Sequence, residues 1–377
     1  MRPDENNVVF TDGSRLIIEA LTRAGARVFI GYPITPPNRL YAYANERFPL
    51  FLAAPDEISA LQWAAGFSAT GAFPVTATSF PGFALMLETL NMAFMMELPM
   101  VIVLAQRMGP STGSATTGAQ GDLLLLRGAI SGGYTLPVFC PADFDDCWTL
   151  AAQSVDTALR LRTPVVLLTS KEMIMTNRSF DMAHLAPVHA LAYDAYEGNG
   201  RFAPYAAAEA GAPPFLPVGQ ARHQVRLNAS THGDSGLIRK ATPEALANTR
   251  RLQEKIERRV AEFGLYDYDT VPGADILIVT YGITAGAARE AISRLRSDGV
   301  PVALLVVKTL LPTPPALFHI FDQYGRLIFV EENLNGAFRS LCFGNGAGGR
   351  VRAVNKIGHM VTPSEIIEEV ASCQTVS

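Results

Sequence analysis

The chain has 377 residues, 49% of them hydrophobic and 18% charged, with a formal net charge of -4. That length can bury more than one core, and the weakly acidic balance with dispersed basic residues excludes a protein that grips a phosphate backbone. No apolar run reaches the length of a membrane span, the opening MRPDENNVVF lacks an apolar signal segment, and Cys140, Cys147, Cys342 and Cys373 stand apart without C-x-x-C or zinc spacing, so reduced thiols in a cytoplasmic chain are expected.

Helical and strand patterns alternate from the start. Ser14 to Ala24 reads as a helix with Asp12 or Ser14 as its N-cap and Gly25 as its stop. Ala26 to Pro33 is a strand running into a turn that Pro33, Pro36 and Pro37 stiffen. A short helix (Arg39 to Arg47), a strand leading to Asp56-Glu57, and an Ala/Gly-rich helix from Ile58 follow. Val75 to Phe83 is expected to be a strand and turn, and Ala84 to Glu97 a methionine-rich helix whose Met86, Met92, Met95 and Met96 fill a core or an interface.

Val101 to Gln106 is a short β-rich run of the kind buried on both faces of a sheet. It ends in Arg107 and a tract with five hydroxyls, Ser111, Thr112, Ser114, Thr116 and Thr117, loosened by Gly113 and Gly118. A guanidinium beside neutral donors suits a small carboxylate or phosphate; a polar surface loop is the alternative. A helix near Leu123, a strand at Leu136 to Cys140, a helix from Asp145 to Arg160 and a strand at Pro164 to Ser170 complete the first α/β unit.

Residues 181–270 read as an extended connector ending in a charged amphipathic helix from Pro243 to Phe263. Within it, His232-Gly233-Asp234 is expected to be a turn. Residues 271–377 resume the strand–helix alternation, and Thr362-Pro363-Ser364-Glu365 is a capping box that starts a last helix. Gly282-x-x-x-Gly286 lacks dinucleotide-binding spacing and reads as a tight β–α turn. The expected fold is α/β, with two doubly wound, mostly parallel sheets.

Three places then stand at strand ends of the first unit: Tyr32 to Thr35, Asp56-Glu57, and Arg107 to Thr117. In a parallel sheet such ends share one edge, where one cleft can collect them. Glu57 lies between two apolar stretches, a setting that suits a group that handles protons; an acid placed at a helix start by the macrodipole is the alternative.

At these residues the chain resembles the α subunit of the 2-oxoacid:ferredoxin oxidoreductases, and most of all the 2-oxoglutarate branch. The resemblance rests on Tyr32-Pro33-Ile34-Thr35-Pro36, Asp56 to Ala60, Thr78 to Met86, and Gln106-Arg107 with Gly109-Pro110-Ser111-Thr112-Gly113 and Gln120-Gly121-Asp122. It extends through Ser230 to Gly233, Thr309 to Pro315 and Val330 to Asn333. It implies a thiamine diphosphate enzyme that oxidatively decarboxylates a 2-oxoacid and acylates coenzyme A. Residues 1–180 would be the pyrimidine-binding domain and residues 271–377 a transketolase C-terminal-like domain.

By the same resemblance, Glu57 matches the catalytic glutamate that hydrogen-bonds the aminopyrimidine ring. Tyr32, Pro33, Ile34, Gly82 and Phe83 would complete the cofactor wall. Arg107 matches the substrate-carboxylate arginine, and Thr35 and Thr116 the threonines that bond substrate. Phe80 and Met108 depart from the family's usual small residues and would reshape the pocket. A Gly-Asp-Gly diphosphate motif and a cysteine cluster are missing from the sequence. The resemblance therefore implies a β subunit carrying Mg²⁺, the diphosphate site and a [4Fe–4S] cluster, in an α₂β₂ or larger assembly with ferredoxin as acceptor. With few residues before Tyr32, any γ-type function is expected on another chain. Half of a non-oxidative thiamine enzyme, or branched-chain or aromatic 2-oxoacid specificity, is the alternative reading.

Overall fold

The computed structural model describes residues 8–207, 211–344, 346 and 348–374. β1 (Val8–Thr11) and α1 (Gly13–Arg23) lead into β2 (Val28–Gly31), α2 (Asn38–Arg47), β3 (Leu50–Ala53), α3 (Glu57–Ala69), β4 (Pro74–Thr78), α4 (Phe80–Met95) and β5 (Met100–Gln106). α5 (Leu123–Arg127), β6 (Val138–Phe139), α6 (Phe144–Leu161), β7 (Pro164–Ser170), α7 (Lys171–Met175) and β8 (Arg178–Asp181) follow. After a long irregular stretch come α8 (Pro243–Glu257), β9 (Tyr266–Asp269), β10 (Ile276–Tyr281), α9 (Thr284–Ser297), β11 (Val302–Val307), β12 (Thr309–Leu311), α10 (Ala316–Phe321), β13 (Arg326–Glu331), α11 (Ala337–Phe343), β14 (Val351–Asn355) and α12 (Pro363–Gln374).

The strands build a seven-stranded sheet in the order β12-β6-β7-β5-β4-β2-β3 and a five-stranded sheet in the order β14-β13-β10-β11-β9. The first is parallel except where β12 joins β6, and the second except where β9 joins β11. β5 and β7, in the middle of the first sheet, are buried along their whole length. Such two-sided burial requires continuous apolar runs, which both sequences supply. Among the described residues no helix is long and apolar enough to cross a membrane.

Helix starts follow local chemistry. The Asp12 side chain accepts from Arg15 N (3.0 Å), Asp56 from Ser59 N (2.7 Å) and Asp143 from Asp146 N (3.0 Å), each satisfying a donor that the first helical turn leaves free. The capping box forms as expected, with Thr362 N donating to Glu365 (2.8 Å) and Glu365 N to Thr362 Oγ1 (3.4 Å). His232 lies at the start of a turn in which Gly236 N donates to Gly233 O (2.9 Å).

Three elements differ from the sequence reading. Phe80 to Phe83 begin α4 instead of forming a turn, because Pro81 tolerates a helix's first turn, where no intrahelical donor is needed. β9 lies within residues 181–270 yet joins the second sheet, and β12 lies within 271–377 yet joins the first. Both are edge strands of three or four residues, too short for a period to register.

The connector is fastened by charge. Glu97, at the end of α4, is fully buried and bonded by Arg251 Nη1 (3.1 Å) and Lys255 Nζ (2.7 Å) of α8. Lys255 also donates to Arg162 O (3.0 Å), and Arg162 Nη1 reaches the carbonyl oxygens of Pro204, Pro213 and Pro214 at 3.1–3.3 Å. Burial pushes the Lys255 ammonium down to about 8 against the pull of Glu97, while Lys255 and Arg251 hold the Glu97 carboxyl at about 2 against the opposing effect of burial. Removing the Glu97 charge strands two buried cations. Glu97→Gln is therefore expected to lower unfolding free energy by about 3–5 kcal/mol, measured by urea denaturation, with an unchanged midpoint as the contrary result.

Candidate active site

Because the first sheet is parallel, the carboxyl ends of β2, β3, β4 and β5 open onto one edge. Four segments leave from it: Tyr32 to Pro37 after β2, Ala54 to Glu57 after β3, Ser79 and the start of α4 after β4, and Arg107 to Asp122 after β5.

Glu57 is the first residue of α3 and only 6% exposed. Asp56 caps the helix, which frees Glu57 from that duty and turns it inward. Its carboxylate lies against the backbone of Gly82 in the first turn of α4. A Cβ at Gly82 would stand 2.6 Å from Glu57 Oε1 and 2.2 Å from Thr78 Oγ1, so no other residue fits there without displacing one of them. Among the described residues, no hydrogen bond reaches the Glu57 carboxylate. Its oxygens are not among the sealed, unpartnered atoms, so the carboxylate keeps an opening at the cleft edge and is a seat for a donor brought by a ligand.

Arg107 is also 6% exposed. Its Nη1 donates to the main-chain oxygen of Thr35 (2.7 Å), which brings the β5 and β2 ends together over β4. Its buried Nε has no hydrogen-bond partner among the described residues. The Thr35 hydroxyl accepts from Asn38 Nδ2 (3.1 Å). Tyr32 and Pro33 are exposed, Ile34 is half-buried, and Gly82 and Phe83 are buried, with the Phe83 ring inside the core. Thr116 is exposed at the tip of the Arg107 segment and makes no hydrogen bond among the described residues. The edge thus joins Glu57 with Gly82 and Arg107 with Thr35, and leaves Thr116 standing off in solvent.

The Arg107 segment is a tight body. Met108 N donates to Thr117 O (2.8 Å), Ser114 N to Met108 O (2.9 Å), and Asp122 N to the Gln106 side chain (3.3 Å). Gly113, at φ +45°, lies so close to Met108 O that a side chain cannot fit. Asp122, 5% exposed, has an unpartnered Oδ2; burial pushes its carboxyl up to about 7, with Arg107 opposing. Glu332, from the end of β13, is also pushed up to about 7 by burial; a bond from Val361 N opposes this and Glu172 adds to it.

Asp122, Glu332 and Glu172 had no assigned role in the sequence reading. Asp122 closes the Gln120-Gly121-Asp122 motif, so one signal existed. Glu332 and Glu172 come close to this segment only through the tertiary packing of β13 and α7.

Comparisons with known proteins give the chain its relatives. The family described as "Pyruvate flavodoxin/ferredoxin oxidoreductase, thiamine diP-bdg" matches residues 19–247, and "Pyruvate:ferredoxin oxidoreductase core domain II" matches residues 274–357. The chain is 27% identical to the 2-oxoglutarate synthase subunit KorA of Methanothermobacter thermautotrophicus, over 96% of this chain and 97% of that one. It is 28% identical to the KorA subunit of Archaeoglobus fulgidus, over 95% and 97%. It superposes with a TM-score of 0.90 and 27% identity on the 2-oxoglutarate:ferredoxin oxidoreductase from Magnetococcus marinus solved with 2-oxoglutarate, coenzyme A and succinyl-CoA bound, covering 99% of this chain and 66% of that one.

The Asp122 carboxyl yields a signed pH dependence. Its folded-state value, about 7, is above its ordinary 3.8, so the stability it contributes is full below about pH 4 and is lost as pH rises through 7. Asp122→Asn removes that loss without changing the shape. The stability difference, variant minus wild type, is expected to grow from pH 4 to pH 8 to no more than about 4 kcal/mol, at about 1.4 kcal/mol per pKa unit. Glu332 titrates in both proteins and cancels. Thermal melting across this range checks it; a pH-independent difference would contradict it.

Proposed function

Because the chain belongs to the pyruvate flavodoxin/ferredoxin oxidoreductase family, we propose that it is the α subunit of a thiamine-diphosphate-dependent 2-oxoacid:acceptor oxidoreductase that forms an acyl-coenzyme A, with 2-oxoglutarate as the favoured substrate. The observation that carries the reading is Glu57, 6% exposed and with no donor to its carboxylate among the described residues, at the same sheet edge as the half-satisfied Arg107 guanidinium. We assign residues 1–180 as the pyrimidine-binding domain and 271–377 as the transketolase C-terminal-like domain.

The residues present fit the cofactor. Glu57 offers an acceptor to a protonated ring nitrogen, and Gly82 leaves the carboxylate open on the side where any Cβ would close it. We assign the wall around that position to Tyr32, Pro33, Ile34 and the Gly82–Phe83 backbone, the Phe83 ring lying inside the core. Bound there, thiamine diphosphate supplies the nucleophilic carbon and the electron sink that decarboxylation of a 2-oxoacid requires. Glu57 holds a proton at the ring nitrogen. Arg107 pairs with the substrate carboxylate through the edge that Thr35 leaves free, and the Thr35 and Thr116 hydroxyls serve the substrate oxygens.

The rest of the site belongs to a partner. We assign Mg²⁺, the diphosphate site and a [4Fe–4S] cluster to a β subunit, electrons to ferredoxin, and the assembly to α₂β₂ or larger. The surface around Glu57 supports this reading. Ile58 and Trp63 of α3 are each 42% exposed and Leu85 of α4 is 51% exposed, on helices that are apolar on most sides. Helices of that composition are built to be covered.

The test is turnover by the chain co-purified with its partner, using coenzyme A, a viologen dye and a panel of 2-oxoglutarate, pyruvate, branched-chain and aromatic 2-oxoacids. Highest kcat/KM with 2-oxoglutarate, dependence on coenzyme A and bleaching of an iron–sulfur band are expected. Aldehyde release without dye reduction would instead identify a non-oxidative thiamine enzyme. In the same assay Arg107→Ala is expected to lower kcat/KM by the equivalent of about 2–5 kcal/mol, the cost of losing one partner of a buried charge pair. Near-normal kinetics would remove the carboxylate role.

A further inference from the structure

In an open α/β sheet the crevice between strands whose connections run in opposite directions is the usual ligand seat. In the second sheet that crevice lies between the carboxyl ends of β10 and β13, since the chain passes from β10 outward to β11 and later returns to β13 on the other side. It is filled by the protein itself. Gln120, 1% exposed, donates from Nε2 to Tyr281 O at the end of β10 (2.7 Å). Its Oε1 accepts from Glu332 N just past β13 (2.8 Å), and its main-chain N donates to Glu332 O (2.8 Å). Its main-chain oxygen accepts from Asn333 Nδ2 (3.2 Å).

Gly282 makes this possible. It stands at φ +58°, and a Cβ there would come within 3.0 Å of Gln120 Nε2 and of Cys140 Sγ. The glycine that resembles a nucleotide-binding turn makes room for an amide.

We infer that Gln120 is a positioning residue for substrate binding: its amide locks the Arg107–Asp122 segment onto the second sheet and thereby sets where the Arg107 guanidinium stands. This rests on the reading of Arg107 as the substrate-carboxylate residue. The coupling is short. Two residues beyond Gln120, Asp122 N is bonded to the side chain of Gln106, the neighbour of Arg107, and the segment between is cross-tied at Met108, Ser114 and Thr117. A shift at Gln120 therefore moves the segment as one piece.

The chemistry at Gln120 is demanding. One side chain must present a donor to a carbonyl and an acceptor to an N–H, at a reach that Asn lacks. A glutamate has the reach, but its ionised form offers no donor. Its protonated form offers one donor and one acceptor, as the amide does. The titratable groups around the crevice are Glu331, whose carboxylate accepts from Tyr281 Oη (3.3 Å) and Phe338 N (2.8 Å), with Glu332, Glu172, Asp122, Tyr281 and Cys140. All of these are common to wild type and variants.

The test compares wild type, Gln120→Glu and Gln120→Leu in the assembled complex with its partner subunit, at pH 6 and pH 8. At pH 8 both variants are expected to raise the KM for the 2-oxoacid about tenfold, the size of one lost hydrogen bond, with kcat and the KM for coenzyme A within about twofold. Sealed in this crevice beside Glu331 and Glu332, an introduced carboxyl is held protonated well above its ordinary range, so at pH 6 the Gln120→Glu value is expected to fall to within about twofold of wild type, while Gln120→Leu stays high. If Gln120→Leu does not assemble, Gln120→Glu measured at both pH values gives the comparison within one protein. An unchanged 2-oxoacid KM in both variants would overturn the proposal, as would equal losses in kcat and in both KM values. If Arg107→Ala is impaired and the Gln120 variants are not, only this proposal falls; if Arg107→Ala is itself normal, both fall.

Discussion

Strand direction is the constraint on which everything else rests. A parallel ladder sends β2, β3, β4, β5 and β7 to the same edge, so the loops after β2, β3, β4 and β5 have one place to meet. That edge gathers Thr35, Glu57, Gly82 and Arg107, which lie up to 72 residues apart in sequence. The same rule applied to the second sheet brings the ends of β10 and β13 to Gln120. Two carboxyl edges therefore face each other, and the Arg107 segment is held between them.

The site is polar work left unfinished on one side. Glu57 has no donor, Arg107 Nε has no acceptor, and Asp122 Oδ2 has no partner among the described residues. Two other buried carboxylates are fully met: Glu97 by both Arg251 and Lys255, and Glu331 by Tyr281, Asn333, Phe338 and Arg339. The unpaired Arg107 Nε and Asp122 Oδ2 stand at the proposed substrate position, beside helices whose outer faces remain apolar. In our reading that is how half of a shared active site looks before its other half arrives.

Much of this was legible in the chain because the signals are local. Capping aspartates, apolar strands and the proline turn after β2 act over a few residues, and each forms where the sequence places it. Glu57 and Arg107 could be singled out because each sits next to an apolar strand. What was not legible depends on distant packing. β9 and β12 are short edges recruited by neighbouring sheets. Phe80-Pro81-Gly82-Phe83 resembles a turn, yet Pro81 at the first turn and Gly82 against Glu57 make it a helix start. Gly282 read as a tight β–α turn, and only the structure shows the glutamine amide packed against it. Thr116 matched a family motif, but its hydroxyl stands in solvent, so its proposed contact depends on a bound substrate.

The central claim is that Glu57 serves the cofactor and is not merely a helix-start acid. The direct measurement is the rate at which the C2 proton of thiamine diphosphate exchanges with deuterated solvent in the complex of this chain with its partner, for wild type and Glu57→Gln. The substitution keeps shape and burial and removes the acceptor's charge. With assembly and cofactor binding verified, exchange is expected to slow by about 100-fold or more, the usual contribution of a positioned acid–base group. Exchange at the wild-type rate would contradict the role assigned to Glu57.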